Sequence, residues 1–207
     1  MNLREIQSLE TEQKIFSTAL ALFDAKGYDN VTINDICHQI GLTKGAFYHH
    51  FNSKSDILIM KYKFNENSLL KYYHSISADK PLQKLEKIIK RFLDYPKITS
   101  LEEMKSSFKV QIDSHYQEFV GGDSAVQKNI LIKIIEEGQS TGDIRNDMPA
   151  ELLADIIIRY KFGLYIEWCI KDGNMDITTL GQRDYDALIN TLLIADKRKH
   201  STDMKLL

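Results

Sequence analysis

Apolar residues recur every three or four positions along almost every long segment of this chain, the spacing of helices buried on one face; no segment alternates as a half-buried strand requires. Only 3 Pro and 10 Gly are spread over 207 residues, so few places force a helix to end. The expectation is an all-α protein. Hydrophobic residues at 43% and charged residues at 27% suit an ordinary soluble globular chain. The most apolar window, residues 152 to 170, is hydrophobic at fourteen of nineteen positions but still carries Asp155, Arg159, Lys161 and Glu167, which argues against a membrane span. No signal-peptide pattern is visible, and a cytoplasmic location is expected. Cys37 and Cys169 are the only cysteines and form no CxxC pair, so neither a disulfide framework nor a zinc site is expected.

The spacing places a first helix over Glu10 to Lys26, with Ile15, Phe16, Ala19, Leu22 and Phe23 on one side and Gly27 at its C-terminal cap. Thr32, followed three residues later by Asp35, has the form of an N-cap with a returning carboxylate and opens a short helix over Ile33 to Gln39. Gly41 ends that helix, and Thr43 caps the next, which carries Phe47 and runs to about His50. Two short helices across a glycine turn make a helix-turn-helix. A long fourth helix is predicted from Ser53 or Ser55 to about Ser77. Further helices are predicted from Pro81 to Pro96, over 101 to 119, 123 to 140, 149 to 172 and 182 to 198. The expected total is nine or ten.

Residues Thr32 to Phe51 read TINDICHQIGLTKGAFYHHF. The capping Thr32, the Ile36 and Ile40 pair, the turn Gly41, the Thr43-Lys44-Gly45 helix start and the Tyr48-His49-His50-Phe51 end, followed by Lys54, together resemble the DNA-binding signature of the TetR family. The resemblance is specific over residues 10 to 60 and weaker from Glu137 to Gly163. Cys37 departs from it, standing where alanine is usual. The resemblance implies a helix-turn-helix DNA-binding domain over residues 1–54 and a C-terminal helical regulatory and dimerisation domain over 55–207. It also implies a homodimer on a palindromic double-stranded DNA operator, repression released by a small-molecule effector, and no cofactor, metal or membrane partner. The competing reading is an architectural or partner-controlled DNA-binding protein without such a ligand.

The residues themselves fit a recognition helix. Its first turn must be small or polar and exposed to reach base edges, as Thr43, Lys44, Gly45 and Ala46 would be. Gly45 costs about 1 kcal/mol of helix stability relative to Ala, a penalty understandable where backbone must approach DNA closely. Tyr48 and His49, one turn on, suit phosphate contacts, as do Thr32 and Lys54 at flanking helix starts. Phe47 and Phe51, four apart, are assigned to the core. Net charge over residues 1–60 is −2, from 5 Lys+Arg and 7 Asp+Glu; between 43 and 63, however, Lys44, Lys54, Lys61 and Lys63 face only Asp56, a local +3.

In the C-terminal half, the apolar excess of residues 152–170 exceeds what one buried face needs, which suggests a second covered face such as a dimer interface. Phe92, Met104, Phe108, Tyr116, Tyr160 and Trp168 are the candidate ligand-lining residues. No HExxH, GxSxG, P-loop or GxGxxG motif is present, and the Asp113, His115 and Glu118 cluster reads as a solvated face, so no enzymatic activity is expected.

Overall fold

The computed structural model describes residues 2–114 and 126–194. Among these residues it contains nine α-helices: α1 Leu3–Lys26, α2 Ile33–Ile40, α3 Lys44–His50, α4 Ser55–Ser75, α5 Pro81–Asp94, α6 Leu101–Ser114, α7 Val126–Thr141, α8 Ala150–Ile170 and α9 Ile177–Leu188. The fold is all-α, and no helix among the described residues is long and apolar enough to cross a membrane. Residues 2–65 and 99–114 form one compact unit, and residues 66–98 and 126–194 form another. The expected boundary at residue 54 is therefore displaced. The first half of α4 and all of α6 belong with the N-terminal helices, because α6 packs against α1 and places Val110 in their core.

That core is built from Ile15, Ala19 and Phe23 of α1, Ile36 and Cys37 of α2, Phe47 and Phe51 around α3, and Ile57 and Leu58 of α4. Several ends follow directly from local chemistry. The Thr32 hydroxyl accepts the Asp35 N–H at 3.2 Å while the Asp35 carboxylate accepts the Thr32 N–H at 2.8 Å, closing the anticipated capping box. Gly41 takes the left-handed conformation (φ 69°) and donates its N–H back to the Cys37 and His38 carbonyls. α1 starts seven residues earlier than periodicity places it, because Asn2 and Glu5 form a capping box over a first turn with no buried face.

The second unit packs α5 against α7 and α9, and α8 against α7 and α9. Polar ties cross these contacts. The buried Lys84 ammonium donates to the Glu137 carboxylate at 2.9 and 2.7 Å, the Tyr165 hydroxyl to the Phe92 carbonyl at 2.5 Å, and the Tyr160 hydroxyl to Asp184 at 2.7 Å. α9 begins at Ile177 rather than 182, capped by Asp176, whose carboxylate accepts the Thr179 N–H. Gly181 lies inside it because Leu93 and Leu164 occupy the space where a side chain would be. The helix closes in a π-turn at Ile189–Leu193, and Arg145 donates its N–H to the Leu193 carbonyl. The anticipated extensions of α6 to 119, α7 from 123 and α9 to 198 run beyond the described residues.

Gly138 in α7 is buried, and a Cβ there would stand 2.6–3.2 Å from the side chain of Ile144 as far in as its own Cβ. Replacing Gly138 by Ala is expected to lower stability by about 1–3 kcal/mol, the cost of overpacking a branched neighbour that cannot swing aside; urea unfolding followed by circular dichroism measures it.

Candidate nucleic-acid interface

α3 is only seven residues long, and its orientation comes from what it buries. Phe47 has no exposed surface and Phe51 almost none, and their rings stand 5.7 Å apart. The Thr43 hydroxyl caps the helix by accepting the Ala46 N–H at 3.2 Å. Cys37 contributes more than filling: its thiol donates to the Thr43 carbonyl at 3.6 Å and so ties α2 to the start of α3.

With that face fixed, Thr43, Lys44, Gly45, Tyr48 and His49 are exposed and Ala46 is half-buried. A Cβ on Gly45 would meet only the Thr43 hydroxyl at 3.7 Å, so packing within the chain does not explain the glycine. Tyr48 is 52% exposed, its ring set edge-on to Phe47. His50, beside it, is turned inward, with Nδ1 3.8 Å from the Glu12 carboxylate.

Two of the residues expected to touch DNA have other employment in the structure. Thr32 is exposed, but its hydroxyl donates to Asp35 at 2.6 Å and accepts the Asp35 N–H, so its hydrogen is committed to the cap. Lys54 is the larger departure. Its ammonium donates to the Tyr28 and Val31 carbonyls at 2.6 and 3.0 Å and lies 4.1 Å from the centre of the Tyr28 ring. Burial holds this lysine below its usual pKa and pushes the Tyr28 phenol up to about 12. Lys54 is thus a clamp between α4 and the turn before α2. Lys61 in turn pairs with Glu103, so of the four lysines in the expected basic stretch, Lys44 and Lys63 are the exposed ones without such ties among the described residues.

The candidate ligand residues fall in both units. Met104 and Phe108 belong to the unit that contains α1–α3, whereas Phe92, Tyr160 and Trp168 belong to the other; Tyr116 lies outside the described residues, as do His115 and Glu118. Among the described residues, no group of three His, Cys, Asp or Glu is arranged to hold a metal. Hydrophobic periodicity passes over Lys161. It is 3% exposed on α8, and Phe162, Phe92 and Tyr165 place their ring centres 4.2, 4.8 and 5.9 Å from its ammonium, which donates to the Gln127 side-chain carbonyl. Burial pulls its pKa down to about 7 against an opposing pull from Glu66. The signal available in the sequence is a lysine flanked at helical spacing by Ile157, Ile158, Leu164 and Tyr165.

A glycine-turned pair of short helices, the second held by aromatic burial with its first turn facing solvent, defines a helix-turn-helix DNA-binding protein. Residues 15–59 match the family model for bacterial regulatory proteins of the tetR family. Over 199 residues the chain is 27% identical to the HTH-type transcriptional regulator AcrR of Shigella flexneri, covering 88% of this chain and 89% of that protein. The fold is shared with a TetR-family regulator from Pectobacterium atrosepticum (TM-score 0.70, 19% identity, 92% of this chain and 97% of that one). It is also shared with the repressor FadR of Thermus thermophilus in complex with lauroyl-CoA (TM-score 0.69, 14% identity, 89% and 96%). Together these likenesses support a TetR-family transcriptional regulator, with the family's DNA-binding model matched over the helix-turn-helix.

Replacing Lys54 by Ala leaves the Val31 carbonyl without its donor in a part-buried setting, while the Tyr28 carbonyl keeps the Val31 N–H, and is expected to lower stability by about 1–2 kcal/mol, whereas Lys44→Ala should stay within about 0.5 kcal/mol of the parent; denaturant titration of the two variants distinguishes clamp from surface.

Proposed function

We propose that this chain is a repressor that binds a palindromic operator as a homodimer and is released by a small-molecule effector held in the C-terminal unit. The observation that carries DNA recognition is the exposed start of α3. Thr43, Lys44 and Gly45 stand clear of the chain while Phe47 fixes the helix beneath them, the arrangement that lets a first turn enter the major groove. Lys44 reads base edges or the adjoining phosphate, the bare backbone at Gly45 permits close approach, and Tyr48 and His49 hold phosphates. Thr32 and Lys54 serve by positioning, through the cap and the clamp.

The homodimer is supported by α8. Leu152, Ile156, Arg159, Gly163, Ile166 and Ile170 follow one another at alternating spacings of four and three residues, the period of a helix seam. Leu152, Ile166 and Ile170 are 43%, 44% and 76% exposed, and Gly163 has open space where a side chain would stand. A second copy of the same stripe covers such a face through a two-fold axis.

Effector control is supported by the relatives' chemistry, since the T. thermophilus FadR structure holds lauroyl-CoA, and by α4, a continuous helix whose first half belongs to the DNA-binding unit and whose second half belongs to the other. An effector changes operator affinity only by its difference in affinity for the two arrangements, and operator DNA must weaken the effector by the same factor.

An operator selected from random DNA and titrated by fluorescence anisotropy tests the interface. Lys44→Ala is expected to cost about 1–3 kcal/mol, and Tyr48→Phe about 1 kcal/mol on specific and non-specific DNA alike. Loss of one phosphate contact should lower the log–log salt slope by ~0.9. Unchanged binding in both variants would move recognition elsewhere. Sedimentation of Ile166→Glu is expected to show monomer where the parent is dimer, and an unaltered dimer would refute the α8 seam.

A further inference from the structure

The C-terminal unit buries two lysines and treats them differently. Lys84 is met by a carboxylate, Glu137, at 2.7 Å, which is how a fold normally satisfies an ammonium withdrawn from water. Lys161 is as deeply buried, yet its hydrogen-bond partner is the neutral Gln127 amide and its other neighbours are the rings of Phe92, Phe162 and Tyr165. A neutral amide and ring faces offset only part of the cost of withdrawing a full charge from water. Glu66 is near enough to influence Lys161, and one of its carboxylate oxygens accepts the Val126 N–H at 3.2 Å.

The groups around this ammonium come from four helices: Glu66 from α4, Phe92 from α5, Gln127 from α7, and Phe162 and Tyr165 from α8 itself. Glu66, Gln127 and Phe162 are only half-buried, so the enclosure is less complete on their side than at Phe92 and Tyr165. The arrangement combines a buried ammonium whose hydrogen-bond partner is neutral, an apolar aromatic lining and a displaceable amide, a combination that selects a negatively charged head group carried on an apolar body.

We propose that Lys161 anchors an amphipathic carboxylic acid, whose carboxylate takes the place of the Gln127 amide on the ammonium and whose apolar portion packs on Phe92, Phe162 and Tyr165. The effector role of this ligand rests on the reading given under Proposed function; the binding site does not. A carboxylate at this point gives Lys161 the direct anionic partner that Gln127 does not, and holding the ammonium protonated is part of the binding free energy.

Trp168 lies two helical turns from Lys161 on α8, so its fluorescence reports on the site. Decanoate and benzoate are titrated beside their uncharged counterparts, 1-decanol and benzyl alcohol, with decyltrimethylammonium as the cationic control. At least one carboxylate is expected to bind the parent about tenfold or more tighter than its alcohol, ~1.4 kcal/mol. Lys161→Met, which exchanges a buried charge for a side chain of similar volume, is expected to remain folded and to erase that preference. Lys161→Gln serves as a second variant with the same expectation. NMR of the lysine side chain should show the Lys161 pKa rising on adding the carboxylate and not the alcohol. Equal binding of acid and alcohol, a preference retained in both variants, or preference for the cation would each overturn the site. Operator anisotropy in parallel separates the two readings: carboxylates that bind through Lys161 yet leave operator affinity unchanged uphold the site and refute its effector role.

Discussion

The recognition helix is too short to stand on its own, since seven residues form a helix of less than two full turns in water at a net cost. What holds it is Phe47, sealed with Phe51 into the core made by α1, α2 and the start of α4. Burying a ring of that size contributes about 1.5–3 kcal/mol, enough to fix the rotation of the helix about its axis. Once that rotation is set, residues two positions to either side, Gly45 and His49, face the other way. The exposure of the first turn is therefore a consequence of the core beneath it, and the caps at Thr32, Gly41 and Thr43 only decide where each helix begins and ends.

The same logic sorts the lysines. Five of them carry identical side chains and perform different work because each meets a different dielectric. Lys44 is solvated, Lys54 is drawn onto two carbonyls and a ring, Lys61 pairs with Glu103, Lys84 with Glu137, and Lys161 is enclosed by aromatic faces. Charge counted along the sequence weighs all of these alike, which is why the basic stretch between 43 and 63 presents less free charge than its +3 suggests. Within that stretch the field available to DNA belongs to Lys44 and Lys63, the two left in water, so the operator reading proposed above leans on specific contacts at α3 more than on bulk attraction.

In the C-terminal unit, the apolar excess of α8 resolves into three destinations. Leu153, Ala154, Ile157 and Leu164 enter the core; Leu152, Ile166 and Ile170 stay exposed along one stripe; and Lys161 interrupts the buried face with a charge. A helix that is apolar nearly all round serves more than one contact. The buried cation on it is a feature that hydrophobic periodicity treats as noise and that energetics marks as costly.

Local interactions are legible in the order of residues. The capping box at Thr32 and Asp35, the left-handed Gly41, the Thr43 cap and the pairing of Phe47 with Phe51 all act within three or four residues, and such spacings can be read from order alone. They determine the helix-turn-helix and the all-α character. They fail where a distant neighbour overrules a local habit. The last helix starts before Gly181, ahead of its expected start, and Leu93 and Leu164 fill the space a side chain there would need; α6, expected in the C-terminal domain, packs against α1. Lys54 reaches a carbonyl twenty-six residues away, and Tyr165 one seventy-three residues away. Partners at that separation are chosen by how whole helices pack, which depends on the summed shape of many side chains. The sequence by itself therefore determined the elements and their exposed and buried faces, while only the tertiary structure decided which charges are spent inside the protein and which remain for DNA or a ligand.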